Sequence, residues 1–143
     1  MSTREEQLKL VENMKQWQKV EDATVAKTAS VMEETDNPLI RLVMEIIQRD
    51  ANLHHRVQQL IIDSLERGSI PITVEDLQKV WISIEEHIQI ERNATEMAKS
   101  SLSALQGRAG IVQHYLISYL MEDEKKHEKL LSNLEQIKKG MYP

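Results

Sequence analysis

Apolar residues recur at spacings of three and four along four long segments of the chain. This spacing places them on one face of an α-helix, so each segment predicts an amphipathic helix. The few glycines and prolines cluster at the ends of the segments. The predicted helices are residues 3–35, 38–67, 73–106 and 111–139. We therefore predict an all-α fold in which 1–143 form a single domain, a four-helix bundle.

Local signals mark the ends of these helices. Asn37 followed by Pro38 is typical of a helix N-terminus, because asparagine accepts from free backbone N–H groups and proline has none to satisfy. Thr73 and Asp76 have the spacing of a capping box. Gly140 follows two lysines, as is common where a helix ends.

Composition narrows the classes of function. The chain contains no cysteine, which excludes disulfides, thiolate metal sites and iron–sulfur clusters. A net charge of −5 without a basic stripe argues against nucleic acid as a partner. No apolar run resembles a signal peptide or a membrane span, so we predict a cytoplasmic protein without a membrane partner. The long apolar stripes suggest more apolar surface than one bundle buries, which favours a homodimer.

Charged residues interrupt the apolar stripes at comparable distances from the helix ends. Glu21 and Glu91 lie on the first and third predicted helices, and His54 and His127 lie on the second and fourth. In a bundle with short turns these four side chains would reach the axis at about the same height. Buried ionisable groups need a partner or a cation. The pattern therefore indicates either a metal site or a set of hydrogen-bonded core residues.

The sharpest motif is Glu124-x-x-His127, whose two side chains share a helix face and can reach one metal ion. Asp50 and His54 lie four residues apart, so they form either ligands or a buried pair without metal. His87 lies four residues before Glu91, and we expect it to be a partner of the site rather than a ligand.

The two halves of the chain also resemble each other. Residues 50–54 match residues 123–127 at an offset of 73, with an aspartate first and a histidine last in both. Glu21 matches Glu91 at an offset of 70. An internal repeat of two helices is therefore expected.

The stretches Tyr119–Leu131 and His87–Glu91 resemble the fourth-helix and third-helix motifs of the rubrerythrin-like di-iron carboxylate proteins of the ferritin-like superfamily. The resemblance implies a ferritin-like four-helix bundle that binds two iron ions, or iron and manganese. It places the ligands at five positions: Glu21, His54, Glu91, Glu124 and His127. Ala51 stands where the family has a sixth ligand, a carboxylate, and Asp50 is the candidate to replace it.

Ferritin-like bundles join their second and third helices by a crossover along the bundle. A distance of roughly 40 Å needs about 12 extended residues, and 68–72 are too few. Either the third helix begins later, near Trp81, or the connectivity is a simple up-down-up-down arrangement.

Three functions compete. The first is a dinuclear iron or iron–manganese oxidoreductase that acts on dioxygen or peroxide and, lacking cysteine, depends on an external redox partner. The second, favoured by Ala51, is a metal-free ferritin-like bundle that serves as a dimerisation or partner-binding module. The third is a hemerythrin-like sensor, suggested by His87-x-x-x-Glu91 but lacking a His-x-x-x-His pair.

Overall fold

The computed structural model describes residues 3–68, 70–105 and 110–140. Nearly all of them lie in four α-helices: α1 (Thr3–Glu34), α2 (Pro38–Glu66), α3 (Val74–Ala104) and α4 (Ile111–Lys138). The described residues contain no strand. The all-α class with four helices is therefore confirmed. The helix bounds differ from the predicted ones by one or two residues, and the predicted end of the third helix at Gln106 lies outside the described residues.

The chain divides into two compact units, Met1–Pro71 and Ile72–Pro143. In the first unit α1 and α2 pack against each other, and in the second α3 and α4 do so. We call these pairs the first hairpin and the second hairpin. The expectation that all four helices form one bundle stays a prediction.

The turn of the first hairpin is built as its sequence predicts. The side chain of Asn37 accepts hydrogen bonds from the backbone N–H groups of Leu39 and Ile40, at 3.0 and 3.1 Å. Pro38 occupies the first turn of α2, where a missing N–H costs nothing. The guanidinium of Arg41 donates to the backbone oxygens of Met32 and Thr35. One arginine thereby satisfies carbonyl groups that the end of α1 leaves without helical partners.

The connection between the hairpins is short because α3 begins at Val74. Thr73 and Asp76 form the predicted capping box, with both hydrogen bonds at 3.1 Å. The hydrogen bond from the Thr73 backbone N–H to the Asp76 carboxylate lowers the pKa of Asp76, with a smaller contribution from the Thr73 side chain. The alternative start of the third helix near Trp81 is therefore wrong. Residues 67–73 that join α2 to α3 are fewer than the about 12 that an extended crossover needs.

The core of the first hairpin is made by Val11, Met14 and Ile62, with Ile61 and Leu65 packed against it. The buried face of α1 differs from the predicted stripe. The spacing of three and four in this segment predicts a stripe through Leu10, Met14 and Trp17, yet Leu10 and Trp17 are 40% and 53% exposed. Their successors in the sequence, Val11 and Gln18, are buried instead. A shift of one residue rotates a helix face by about 100°, so the side that meets α2 lies at the edge of the apolar stripe.

The second hairpin buries a face of α3, while no described residue of α4 is fully buried. The buried apolar residues of α3 are Leu77, Trp81, Ile88 and Ala98. The ammonium of Lys138 lies 4.2 Å from the centre of the Trp81 ring, a cation–π contact that fixes the end of α4 on α3. None of the four helices, as far as they are described, contains a stretch long and apolar enough to cross a membrane.

Candidate metal centre

Three side chains of the second hairpin converge as a group that could hold a metal ion. α3 contributes Glu91, and α4 contributes Glu124 and His127, which lie one helical turn apart. One nitrogen or oxygen atom from each lies within 4.8 Å of the other two. A search of the described residues finds no second group of three such ligands.

Glu91 is the central member of this group, and only 9% of its side chain is exposed. Its Oε1 is 2.8 Å from Nε2 of His87, one turn earlier on α3. Its Oε2 is buried, and no hydrogen bond reaches it from the described residues. Nδ1 of His127 lies 3.4 Å from that oxygen, beyond good hydrogen-bond geometry. A buried carboxylate oxygen without a hydrogen bond is costly, and a bound cation would satisfy it.

Both ring nitrogens of His127 face carboxylates. Nδ1 faces those of Glu91 and Glu124, at 3.4 and 3.8 Å. Nε2 lies 3.3 Å from the carboxylate of Asp123, one turn earlier on α4. A carboxylate on one ring nitrogen favours the tautomer in which that nitrogen carries the proton, which leaves the other nitrogen free to bind a metal. Asp123 therefore presents Nδ1 of His127 as the ligand atom.

Proximity of the two glutamates shifts both of their pKa values. The Glu124 carboxyl lowers the pKa of Glu91, with smaller contributions in the same direction from His87 and His127 that oppose the effect of burial. Glu91 in turn raises the pKa of Glu124, and burial adds to this rise. Two adjoining carboxylates favour sharing one proton, and the raised pKa makes Glu124 the partner that binds it more tightly. A divalent cation would replace that proton.

The first hairpin repeats part of this arrangement with equivalent atoms. Nδ1 of His54 lies 3.5 Å from Oε2 of Glu21, as Nδ1 of His127 lies 3.4 Å from Oε2 of Glu91. Glu21 is 7% exposed, which matches the burial of Glu91. At the position of Glu124 the first hairpin has Ala51, which is 3% exposed. The first hairpin thus pairs one carboxylate with one imidazole and fills the third ligand position with a methyl group.

The predicted ligands fall into a group of three, a pair and one residue that belongs to neither. Glu91, Glu124 and His127 form one group, and Glu21 and His54 form a pair. Asp50, predicted to replace the missing carboxylate, is half-buried and belongs to neither. Its counterpart in the repeat is Asp123, which contacts the nitrogen of His127 that faces away from the other ligands. The neighbouring His55 is 39% exposed and lies 3.6 Å from Asp22.

Several hydrogen bonds near the two sites were not predicted from the sequence. The side-chain amide of Gln18, buried beside Glu21, donates to the backbone oxygen of His55 and to Oε1 of Gln59, at 3.2 and 3.1 Å. In the second hairpin Arg92 donates to Glu128 at 3.2 Å and ties α3 to α4 one residue from Glu91. A glutamine offers little signal in a sequence, since most glutamines are exposed. The pairing of Arg92 with Glu128 depends on the alignment of two helices, which no local pattern specifies.

Two carboxylates and an imidazole form a donor set suited to a first-row divalent cation such as iron(II), manganese(II) or zinc(II). Three protein ligands leave coordination positions open for water or a small substrate. No protein-family model, curated protein or solved structure significantly matches this chain.

Proposed function

We propose that this chain is a ferritin-like metal-binding protein and that its second hairpin holds iron or manganese on Glu91, Glu124 and His127. The observation that carries the proposal is the buried Oε2 of Glu91, which faces Nδ1 of His127 and has no hydrogen-bond partner among the described residues. Without metal, a proton shared with Glu124 would have to meet the Glu91 carboxylate, whereas a divalent cation would satisfy both carboxylates. The resemblance of residues 87–91 and 119–131 to rubrerythrin-like motifs supports the same conclusion independently.

The activity that we propose is oxidation–reduction with dioxygen or peroxide as the acceptor. Bound iron or manganese would supply the exchange of electrons, and the open coordination positions would admit the oxidant. The residues of the chain bind and orient the ion: Glu91 and Glu124 provide oxygen ligands, and Asp123 keeps the ring of His127 in place. Because the chain has no cysteine, an external redox partner would return the enzyme to its starting state.

The proposal is tested by measuring the metal content of the full chain expressed with iron and manganese supplied. Glu124→Ala removes one ligand, and Glu122→Ala is the matched control, since Glu122 lies on the same helix with 70% of its side chain exposed. Metal that is bound by the wild type and the control but lost from Glu124→Ala supports the site. A second equivalent of metal would support the dinuclear form.

A metal-free module that binds a partner or dimerises is the second candidate, and Ala51 favours it because a buried methyl group replaces a ligand in the first hairpin. That candidate predicts no metal in any of the three proteins and unchanged thermal stability in a chelator. Such a result would contradict the metal proposal.

A further inference from the structure

We propose that His87 is a positioning residue for the metal centre: it engages Oε1 of Glu91 so that Oε2 alone is presented to the cation. This inference rests on the proposed function, because it concerns how the same site binds its ion. The carboxylate of Glu91 has two chemically equal oxygens, and the structure gives them different environments. Oε1 is 2.8 Å from Nε2 of His87, whereas Oε2 is buried without a hydrogen bond.

The different environments of the two Glu91 oxygens arise partly within α3 itself. His87 and Glu91 are four residues apart, so their side chains lie one above the other on the same face of the helix. The buried face of α3 holds Glu91, while 54% of the His87 side chain is exposed. The imidazole therefore reaches Glu91 from the solvent side and leaves the inward oxygen to Glu124 and His127. A hydrogen bond to one oxygen favours a carboxylate that binds a metal through the other.

His87 and Asp123 act on different ligands. Asp123 lies beside the outer ring nitrogen of His127 on α4, and His87 contacts the carboxylate of Glu91 on α3. In the first hairpin Trp17 stands at the position of His87, four residues before the glutamate. The hydrogen bond between His87 and Glu91 thus belongs to the hairpin that also holds the group of three possible ligands.

The test is anaerobic titration of the full chain with cobalt(II), whose visible absorption reports the number and geometry of its ligands. We compare the wild type with His87→Ala and His87→Gln, and use His114→Ala as the control, since His114 is exposed on α4 and outside the metal-capable group. We expect His87→Ala to bind cobalt(II) about 10- to 100-fold more weakly. Its absorption spectrum should also change, because Glu91 is then free to bind through both oxygens.

His87→Gln retains a side-chain N–H at the same helical spacing, and we expect it to restore most of the affinity and the wild-type spectrum. Thermal unfolding of each metal-free variant separates a change at the site from loss of the fold. Equal affinity and equal spectra for the wild type and His87→Ala would overturn the assignment while leaving the metal site intact. Failure of His87→Gln to restore either property would also overturn it. A wild-type chain that binds no cobalt(II) would contradict the metal proposal itself.

Discussion

Replacing Glu124 by glutamine should stabilise the metal-free protein while abolishing metal binding. Glu91 and Glu124 belong to a group whose ligand atoms lie within 4.8 Å of one another, and both carry negative charge when ionised. Glutamine has nearly the same size and helix propensity as glutamate. Its neutral amide can donate to Glu91 without first taking up a proton. The substitution therefore removes the repulsion and leaves the rest of the hairpin unchanged.

The size of the effect follows from Coulomb's law. Two unit charges at the upper limit of 4.8 Å repel by about 3.5 kcal/mol at an effective dielectric constant of about 20. The side chain of Glu124 is 26% exposed, so water screens part of this repulsion. We expect a net gain of about 1 kcal/mol in the free energy of unfolding, or about 4 °C in Tm for a chain of this length.

The stability gained by Glu124→Gln should increase as the pH rises. The pKa of Glu124 is raised in the folded protein, so the folded state binds more protons than the unfolded state above the ordinary value of 4.5. The wild type therefore loses stability as the pH rises through that raised pKa. Below the ordinary pKa of 4.5 Glu124 is protonated in both the folded and the unfolded state, and Glu124→Gln should gain little. The full gain should appear at neutral pH and above.

Thermal unfolding of the metal-free proteins, followed by far-ultraviolet circular dichroism at several pH values, measures this difference. Glu122→Gln is the control, because Glu122 is exposed and its replacement should leave Tm nearly unchanged. When metal is added back to the same proteins, Glu124→Gln should bind it more than about 100-fold more weakly than the wild type. Loss of a residue that only contacts a ligand costs about 10- to 100-fold, and Glu124 is itself a ligand. A lower Tm for Glu124→Gln at neutral pH, or a gain that is independent of pH, would refute the reasoning.

Three further substitutions test the two hairpins. Introducing Ala51→Glu into the Glu124→Ala background should restore metal binding, because it completes a set of two carboxylates and an imidazole in the first hairpin. The larger side chain should lower the free energy of unfolding by about 1–3 kcal/mol, since Ala51 is 3% exposed and the added atoms would overpack its surroundings. Metal analysis measures the first effect and urea unfolding the second. Ile62→Ala should lower the free energy of unfolding by about 2–5 kcal/mol, since Ile62 is 2% exposed in the first core, and a small loss in urea unfolding would contradict that packing. Thr73→Ala should cost about 1 kcal/mol by removing the hydroxyl that accepts from the Asp76 N–H, whereas Thr73→Ser should retain the stability of the wild type in the same assay.

The sequence by itself determined the helices and their ends. Hydrophobic periodicity is a property of neighbouring residues, and caps such as Asn37 and Thr73 act on backbone groups within three residues of themselves. The relation of Glu124 to His127, and of His87 to Glu91, was also predictable, because helical geometry alone places residues three or four apart on one face. Because these charged side chains interrupt apolar stripes, the sequence also indicated that they need hydrogen-bond partners or a cation.

Tertiary structure decided which of these residues meet. It selected Val11 and Gln18 over Leu10 and Trp17 as the buried side of α1, because the rotation of one helix against another depends on the packing of both surfaces. It also brought Glu91 of α3 to the Glu124–His127 pair of α4 and left its Oε2 without a hydrogen bond. Asp50 shows the limit of reasoning from sequence: spacing allowed it to be a ligand, but within the first hairpin the alignment of α2 against α1 brings His54 to Glu21 and leaves Asp50 out of that pair. That alignment arises from many weak contacts between distant residues, and no local pattern records it.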